Sequence, residues 1–200
     1  MRILHISDTH GYHHRMHDLR EADMIVHSGD FTMNGTVQEA VDFLRWFSSL
    51  DYANKIFIAG NHDCCMYGAR IDGLDDNVHY LCNSGVELCG FKFYGVPMFV
   101  EDCASGLQNR NYADIPIDTD VLITHVPPFG ILDFDAGMNF GSRELLSRLS
   151  LVKPDLHLFG HIHAMHGMTS LYGITFSNGA IMNTGYDDMS SPNLVESSTI

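Results

Sequence analysis

At 200 residues, with 45% hydrophobic and 18% charged side chains, the chain can bury a core unaided and lies far from the composition of disordered proteins. Its 25 acidic against 11 basic residues give a formal charge of −14, which argues against a coat for duplex nucleic acid or an anionic membrane surface. The five cysteines, at 64, 65, 82, 89 and 103, are odd in number and show neither CxxC pairs nor zinc-finger spacing, so reduced thiols are expected.

The first apolar run, 3–6, is broken by Asp8 and has no signal-peptide pattern. No run reaches membrane-spanning length, and a cytoplasmic protein is the expectation. Residues 13–19 read as a short helical segment. The run 24–26 leads into Ser28-Gly29-Asp30 and reads as a buried strand. Over 37–50, apolar residues at 37, 40, 41, 44, 47 and 50 form a helical stripe, with Thr36 as N-cap and Glu39 completing a capping box. A strand over 56–59 runs into Gly60-Asn61.

Two β-rich runs, 78–82 and 86–94, are separated by Asn83-Ser84-Gly85, and a further turn at Cys89-Gly90 is possible in the pattern. Antiparallel hairpins are expected there. The polar stretch 102–118 lacks periodicity and reads as a long loop. A strand over 121–123 precedes Thr124-His125. A helix over 142–151 has Ser142 as cap and Pro154 beyond its end, and a strand over 156–159 precedes Gly160-His161. A β pair over 168–176 and 180–183 follows. The sum is an α/β sheet protein, with one domain over 1–185 and a last edge strand or tail over 186–200.

Thirteen histidines stand out, and about half of them lie in the motifs at strand ends. In Asp8-Thr9-His10 and His161-Ile162-His163, strand alternation would aim both polar side chains to one side, where each pair could share a metal. Asp30, Asn61 and His125 hold the same kind of position, and in a parallel sheet such strand ends line one edge. His5, His27 and His157, inside apolar runs, read as satisfied core histidines. His13, His14 and His17 read as surface residues, and Cys64 and Cys65 as small buried thiols. Phe91, Phe93, Tyr94 and Phe99 read as core, and the acidic pairs near 75 and 118 as solvated faces.

Taken in order, Asp8-x-His10, Gly29-Asp30, Gly60-Asn61-His62-Asp63, Thr124-His125 and Gly160-His161-x-His163 resemble the calcineurin-like metallophosphoesterases, and the resemblance runs from residue 3 to about residue 183. Gly29-Asp30-Phe31-Thr32, Asn83-Ser84-Gly85-Val86 and Thr124-His125-Val126-Pro127-Pro128 are similar to the small metallophosphoesterase-domain branch linked to cyclic-nucleotide phosphodiesterase activity. The resemblance implies a layered β-sandwich with flanking helices in a single domain. It implies two divalent ions, one held by Asp8, His10, Asp30 and His163, the other by Asn61, His125, His161 and the shared Asp30. Oxygen and imidazole donors suit Mn²⁺, Fe or Zn²⁺, with manganese the first expectation.

It further implies in-line attack of a metal-bridging hydroxide on phosphorus, with His62 as general acid and Asp63 orienting its ring. The substrate would be a small phosphorylated molecule, a phosphodiester and among these a cyclic nucleotide. A phosphomonoesterase is the alternative, as is a non-catalytic module of the same fold that binds metal or nucleotide. The chain departs from the pattern at Met33, where a second acidic residue is common, and at Ala164-Met165-His166-Gly167, where the branch has Glu-Gly-Tyr-Gly.

Overall fold

Short runs rich in Ile, Val, Leu and Phe, apolar on both faces, make strands that must be covered on both sides. The computed structural model describes residues 1–17 and 19–197. In chain order its first half contains β1 (Arg2–Ile6), β2 (Met24–His27), α1 (Val37–Ser49), β3 (Asn54–Phe57), β4 (Val78–Tyr80), β5 (Ser84–Leu88), β6 (Phe91–Val96), α2 (Val100–Ser105) and α3 (Leu107–Ala113). There follow β7 (Val121–Thr124), β8 (Phe134–Asp135), β9 (Met138–Asn139), α4 (Arg143–Val152), β10 (Leu156–Phe159), β11 (Gly167–Leu171), β12 (Ile174–Asn178) and β13 (Asn193–Glu196).

One sheet has the order β13-β1-β2-β3-β4, the other β11-β12-β10-β7-β6-β5, and β8 with β9 forms a separate small pair. In the first sheet β1 to β4 run parallel and β13 pairs antiparallel with β1. In the second, β12, β10, β7 and β6 run parallel, while β11 and β5 are antiparallel edges.

Strand alternation then sorts the core into layers. Ile3, Met24, Val26 and Ile56 of the first sheet pack with Phe93, Val121, Ile123, Leu156 and Leu158 of the second, inside the sandwich. Their neighbours Leu4, Ile6, Ile25 and Phe57 turn outward onto Phe43 and Phe47 of α1. Leu122, Phe159 and Phe176 turn the other way, onto Leu145 and Leu149 of α4. Each such aliphatic side chain contributes roughly 1.5–3 kcal/mol on burial. His5 points into the sandwich, where its two ring nitrogens hydrogen-bond Ser177 of β12 at 2.7 Å and Ser28 at 2.9 Å, so a polar side chain ties the two sheets together.

The layered α/β sandwich is the one expected, and several details differ from the sequence reading. Helix α1 begins at the Thr36–Glu39 capping box, but its buried face is Ala40, Phe43 and Phe47, while Val37 and Val41 are exposed. Two large aromatics outweigh two valines in choosing the rotation of the helix, because Phe43 stacks on Phe31 and Phe47 and meets Phe57. β5 and β6 do form a hairpin through Cys89-Gly90. β4, however, pairs parallel with β3, so Asn83, with φ of +49°, sits where the chain leaves one sheet for the other instead of at a hairpin turn.

The stretch 102–118 is largely helical: α2 and α3 meet at Gly106, whose φ of +76° makes the corner. Their inward positions are Asp102, Gln108, Asn111 and Tyr112, with Asn111 donating to the Asp102 carboxylate and Gln108 to the Pro97 carbonyl. A polar, hydrogen-bonded inner face carries no hydrophobic period to read. Residues 13–19 contain a 3₁₀ turn, His13–Arg15, with residue 18 outside the described residues. The expected second strand over 180–183 is replaced by isolated bridges from Ala180 to Ser7 and from Met182 to Met189. In the segment 186–200, β13 closes the edge of the first sheet, and residues 198–200 lie outside the described residues. All five cysteines are free, and Cys64 is exposed, not buried. Among the described residues no helix is long and apolar enough to cross a membrane.

Candidate metal centre

The loops that leave β1, β2 and β3 of the first sheet and β7 and β10 of the second converge, and the contacts between them bring all seven expected ligands together. Strand alternation does not do this. Asp8, His10, Asp30 and His161 all have left-handed backbone, with φ of 54°, 44°, 55° and 71°. Such torsions are costly for residues with a Cβ and persist only where surrounding bonds enforce them. Here the amide of Asp8 donates to the Gly29 carbonyl at 2.9 Å, that of His10 to the Asp30 carbonyl at 3.0 Å, and that of His161 to the Asp8 carboxylate at 2.9 Å.

The side chains fall into two overlapping groups. In one, His10 Nε2 and His163 Nε2 face each other at 3.3 Å, and the Asp8 Oδ1 atom lies 3.6 Å from His163 and 3.9 Å from His10. In the other, His125 Nε2 lies 3.3 Å from Asp30 Oδ2 and 3.1 Å from Asn61 Oδ1, with His161 beside it at a ring separation of 5.1 Å. Asp30 Oδ2 is also 3.9 Å from His10 Nε2 and so touches both groups. His161 and His163 are divided between the two groups, as the family resemblance implies and unlike the shared metal that strand alternation suggests. Asp8-His163-His10 and Asp30-His125-His161 each place one donor atom per residue within 4.8 Å of the others, a spacing that can hold a cation.

Hydrogen bonds on the far side of the rings decide which nitrogens face inward. His125 Nδ1 donates to the Ser28 carbonyl at 2.9 Å and His163 Nδ1 to the Met182 carbonyl at 2.7 Å, which aims each Nε2 at the centre. Asp8 Oδ1 is buried and has no hydrogen-bond partner among the described residues. Burial works to lower the His125 pKa, but Asp30 and Asp8 drive it up to about 10, so that ring keeps a proton between acidic oxygens. Burial likewise works to raise Asp30, and His125 and His10 outweigh it, holding the carboxyl below its ordinary range. Burial and then His125 push His161 down to about 4. Imidazoles tied to carbonyls on their outer side, acidic oxygens whose charge the His125 proton balances here, and an unpartnered buried oxygen fit a pair of divalent cations, which would take the place of that proton; the donors are nitrogen and oxygen throughout.

A calcineurin-like phosphoesterase family model matches residues 1–165. The chain belongs to the calcineurin-like phosphoesterase family. A UPF0046 protein of Caenorhabditis elegans is 34% identical over 92% of this chain and 71% of its own length. Metallophosphoesterase domain-containing protein 1 of Homo sapiens is 30% identical over 98% of this chain and 70% of its own. One solved structure superposes with a TM-score of 0.70 at 14% identity, over 88% of this chain and 89% of its own. Another, GAP50 of Plasmodium, gives 0.59 at 13% identity over 98% and 77%. At such identities the likeness concerns the fold.

As a member of the calcineurin-like phosphoesterase family, the protein is expected to work with divalent metals on phosphate esters, and its clustered His and Asp side chains could hold them. The glycines directly before Asn61 and His161 have a steric reason here. A Cβ on Gly60 would overlap Asp30 Oδ1, and one on Gly160 would overlap Asp8 Oδ2 and Ser7 Oγ. Only glycine lets the neighbouring loops lie this close.

Other positions hold corrections. His62 Nδ1 donates to the Met33 carbonyl at 2.9 Å, and its ring meets His10 edge-on at 4.6 Å. Asp63 does not orient that ring. Its carboxylate is buried and accepts from the amides of Asp30, Thr32 and Gly60 and from the Thr32 hydroxyl, at 2.8–2.9 Å. Burial and the charge of Asp30 push the Asp63 carboxyl up to about 7, against the pull of those donors. His5, His27 and His157 are buried and hydrogen-bonded, as expected of core histidines. Tyr186, within the expected tail, was missed: its ring stands edge-on to His10 at 5.0 Å and to His163 at 5.2 Å. An aromatic in a Gly- and Asp-rich segment carries no signal that it covers a site far earlier in the chain.

Proposed function

We propose that the protein is a dinuclear metal-dependent phosphodiesterase, with Asp8, His10, Asp30 and His163 holding one divalent cation and Asp30, Asn61, His125 and His161 the other. The observation that carries this reading is Asp30 Oδ2, the oxygen in reach of both His125 Nε2 and His10 Nε2. Manganese is the first choice of metal for this nitrogen and oxygen set, with iron and zinc as alternatives. When bound, two such cations supply Lewis acidity, acidifying water and neutralising charge that develops on phosphoryl oxygens.

The protein's own groups do the rest. The two ligand carboxylates leave the loaded centre cationic, so a small phosphorylated substrate is attracted despite the formal charge of −14. His62, anchored at Nδ1, would in its doubly protonated form hand the Nε2 proton to the departing oxygen. Tyr186 covers the His10 side of the centre. The motifs Gly29-Asp30-Phe31-Thr32 and Thr124-His125-Val126-Pro127-Pro128, similar to the branch linked to cyclic-nucleotide phosphodiesterase activity, support a diester, and cyclic nucleotides are the first substrates to screen. Residues 1–185 would form the catalytic domain, closed at its edge by β13 from the segment that follows.

The test is hydrolysis of bis(p-nitrophenyl) phosphate by chelator-treated protein before and after Mn²⁺ is restored, with Asp30→Asn in parallel. Metal-dependent turnover in the wild type that is absent from Asp30→Asn is the expected result. Turnover on p-nitrophenyl phosphate alone would make the protein a monoesterase, and metal binding with no turnover on either would make it a binding module.

A further inference from the structure

A second convergence of cation-binding atoms lies apart from this centre. His13 and His14, in the turn His13–Arg15, both direct Nε2 at the single Oδ2 atom of Asp42 in α1, at 3.1 and 3.0 Å. An ionised carboxylate only accepts, so both rings carry their proton on Nε2, and two N–H groups compete for one oxygen. The buried Nδ1 of His13 has no hydrogen-bond partner among the described residues, so nothing on that side holds the ring to this tautomer. The Nε2 lone pair can therefore be released to a cation by moving one proton across the ring.

We propose that His13, His14 and Asp42 form an additional site for a borderline divalent transition ion of the zinc and nickel class, independent of the dinuclear centre. Around a tetrahedral zinc with bonds of about 2.0–2.2 Å, ligand atoms lie roughly 3.3–3.5 Å apart. Each imidazole nitrogen needs to move outward from Asp42 Oδ2 by only a few tenths of an ångström, and all three donor atoms already lie within 4.8 Å of one another. Two imidazoles with one carboxylate favour such an ion over Mg²⁺ or Ca²⁺, which prefer all-oxygen shells.

The site combines a fixed base with an open mouth. His13 is 1% exposed and is wedged beside Trp46, at 4.9 Å between ring centres, and edge-on to Phe43 at 5.7 Å. The side chains of His14 and Asp42 are 58% and 56% exposed, leaving room for the ion to enter and for water to complete its shell. Burial and then the neighbouring His14 push His13 down to about 4, so the ring is neutral at ordinary pH. The strongly acidic chain raises the local concentration of cations. An ion bound there would clamp the segment just after His10 to α1.

Trp46 is the only tryptophan of the chain and so reports on this site. Protein whose dinuclear centre has been saturated with Mn²⁺ is titrated with Ni²⁺ while Trp46 emission is followed. Quenching that saturates near one equivalent is expected in the wild type and in Asp30→Asn, with the Ni²⁺ affinity weakened about 10- to 100-fold in His14→Ala and in Asp42→Asn. Both surface variants leave the core untouched, and circular dichroism verifies their fold. Absence of saturable quenching in the wild type overturns the proposal, as does wild-type affinity in both surface variants, or quenching that is lost only in Asp30→Asn.

Discussion

His62 is fixed at one nitrogen by the Met33 carbonyl, so proton transfer can only use the other. A general acid matters in proportion to how poor the leaving group is. His62→Asn should therefore lower turnover of a diester with an alkyl leaving group by about 10²- to 10⁴-fold, and that of a p-nitrophenyl diester by about tenfold or less. Steady-state kinetics on the two substrates make the comparison. Equal losses would instead mark His62 as a metal ligand, which its position beside His10 and Asp30 allows. At this scale the types of the site residues could be read from the motifs. Their torsions and partners could not: adjacency in sequence put Asp63 next to the His62 ring, while the chain turns that carboxylate toward the backbone of residues 30–32.

Between elements, Asp63 ties the loop after β3 to the loop after β2. An asparagine in its place could accept through one oxygen only, and its NH₂ would face amides that also donate. Asp63→Asn should cost roughly 2–5 kcal/mol, since buried N–H groups are left unpaired. Urea unfolding measures it, and a loss below about 0.5 kcal/mol would mean that the tie contributes little. The N-caps at Thr36 and Ser142 were legible because capping depends on a few consecutive residues. Helices α2 and α3 were not, because apart from Tyr112 what they bury is amide and carboxylate, matched to partners such as the Pro97 carbonyl that only the folded chain supplies. The pairing of β4 with β3 is likewise a choice between two sheets that no local pattern encodes.

For the whole molecule, the buried histidines set a response to acid. Burial, reinforced by His166 and His157, pushes His5 down to about 3, and burial does the same to His157. In the unfolded chain both titrate near 6.5, so between about pH 6.5 and pH 3 the unfolded state binds protons that the folded state refuses. Stability is therefore fully present above pH 6.5 and falls as pH drops toward 3, by about 1.4 kcal/mol per pH unit for each histidine. His157→Gln, which can keep a hydrogen bond to Thr124, should lower the slope of unfolding free energy against pH across pH 6 to 4 by about half of the two-histidine contribution. An unchanged slope would show that other groups govern acid unfolding.

The layered α/β class, the family, the caps of α1 and α4 and the seven candidate ligand residues that converge can all be read along the chain, because each is written in residues a few positions apart. How Asp63 is used, that Tyr186 covers His10 and that His13 is buried beside Trp46 emerge only on folding. These depend on contacts between segments far apart in the chain. Their geometry is set by how two sheets and their loops pack, and no local spacing contains it.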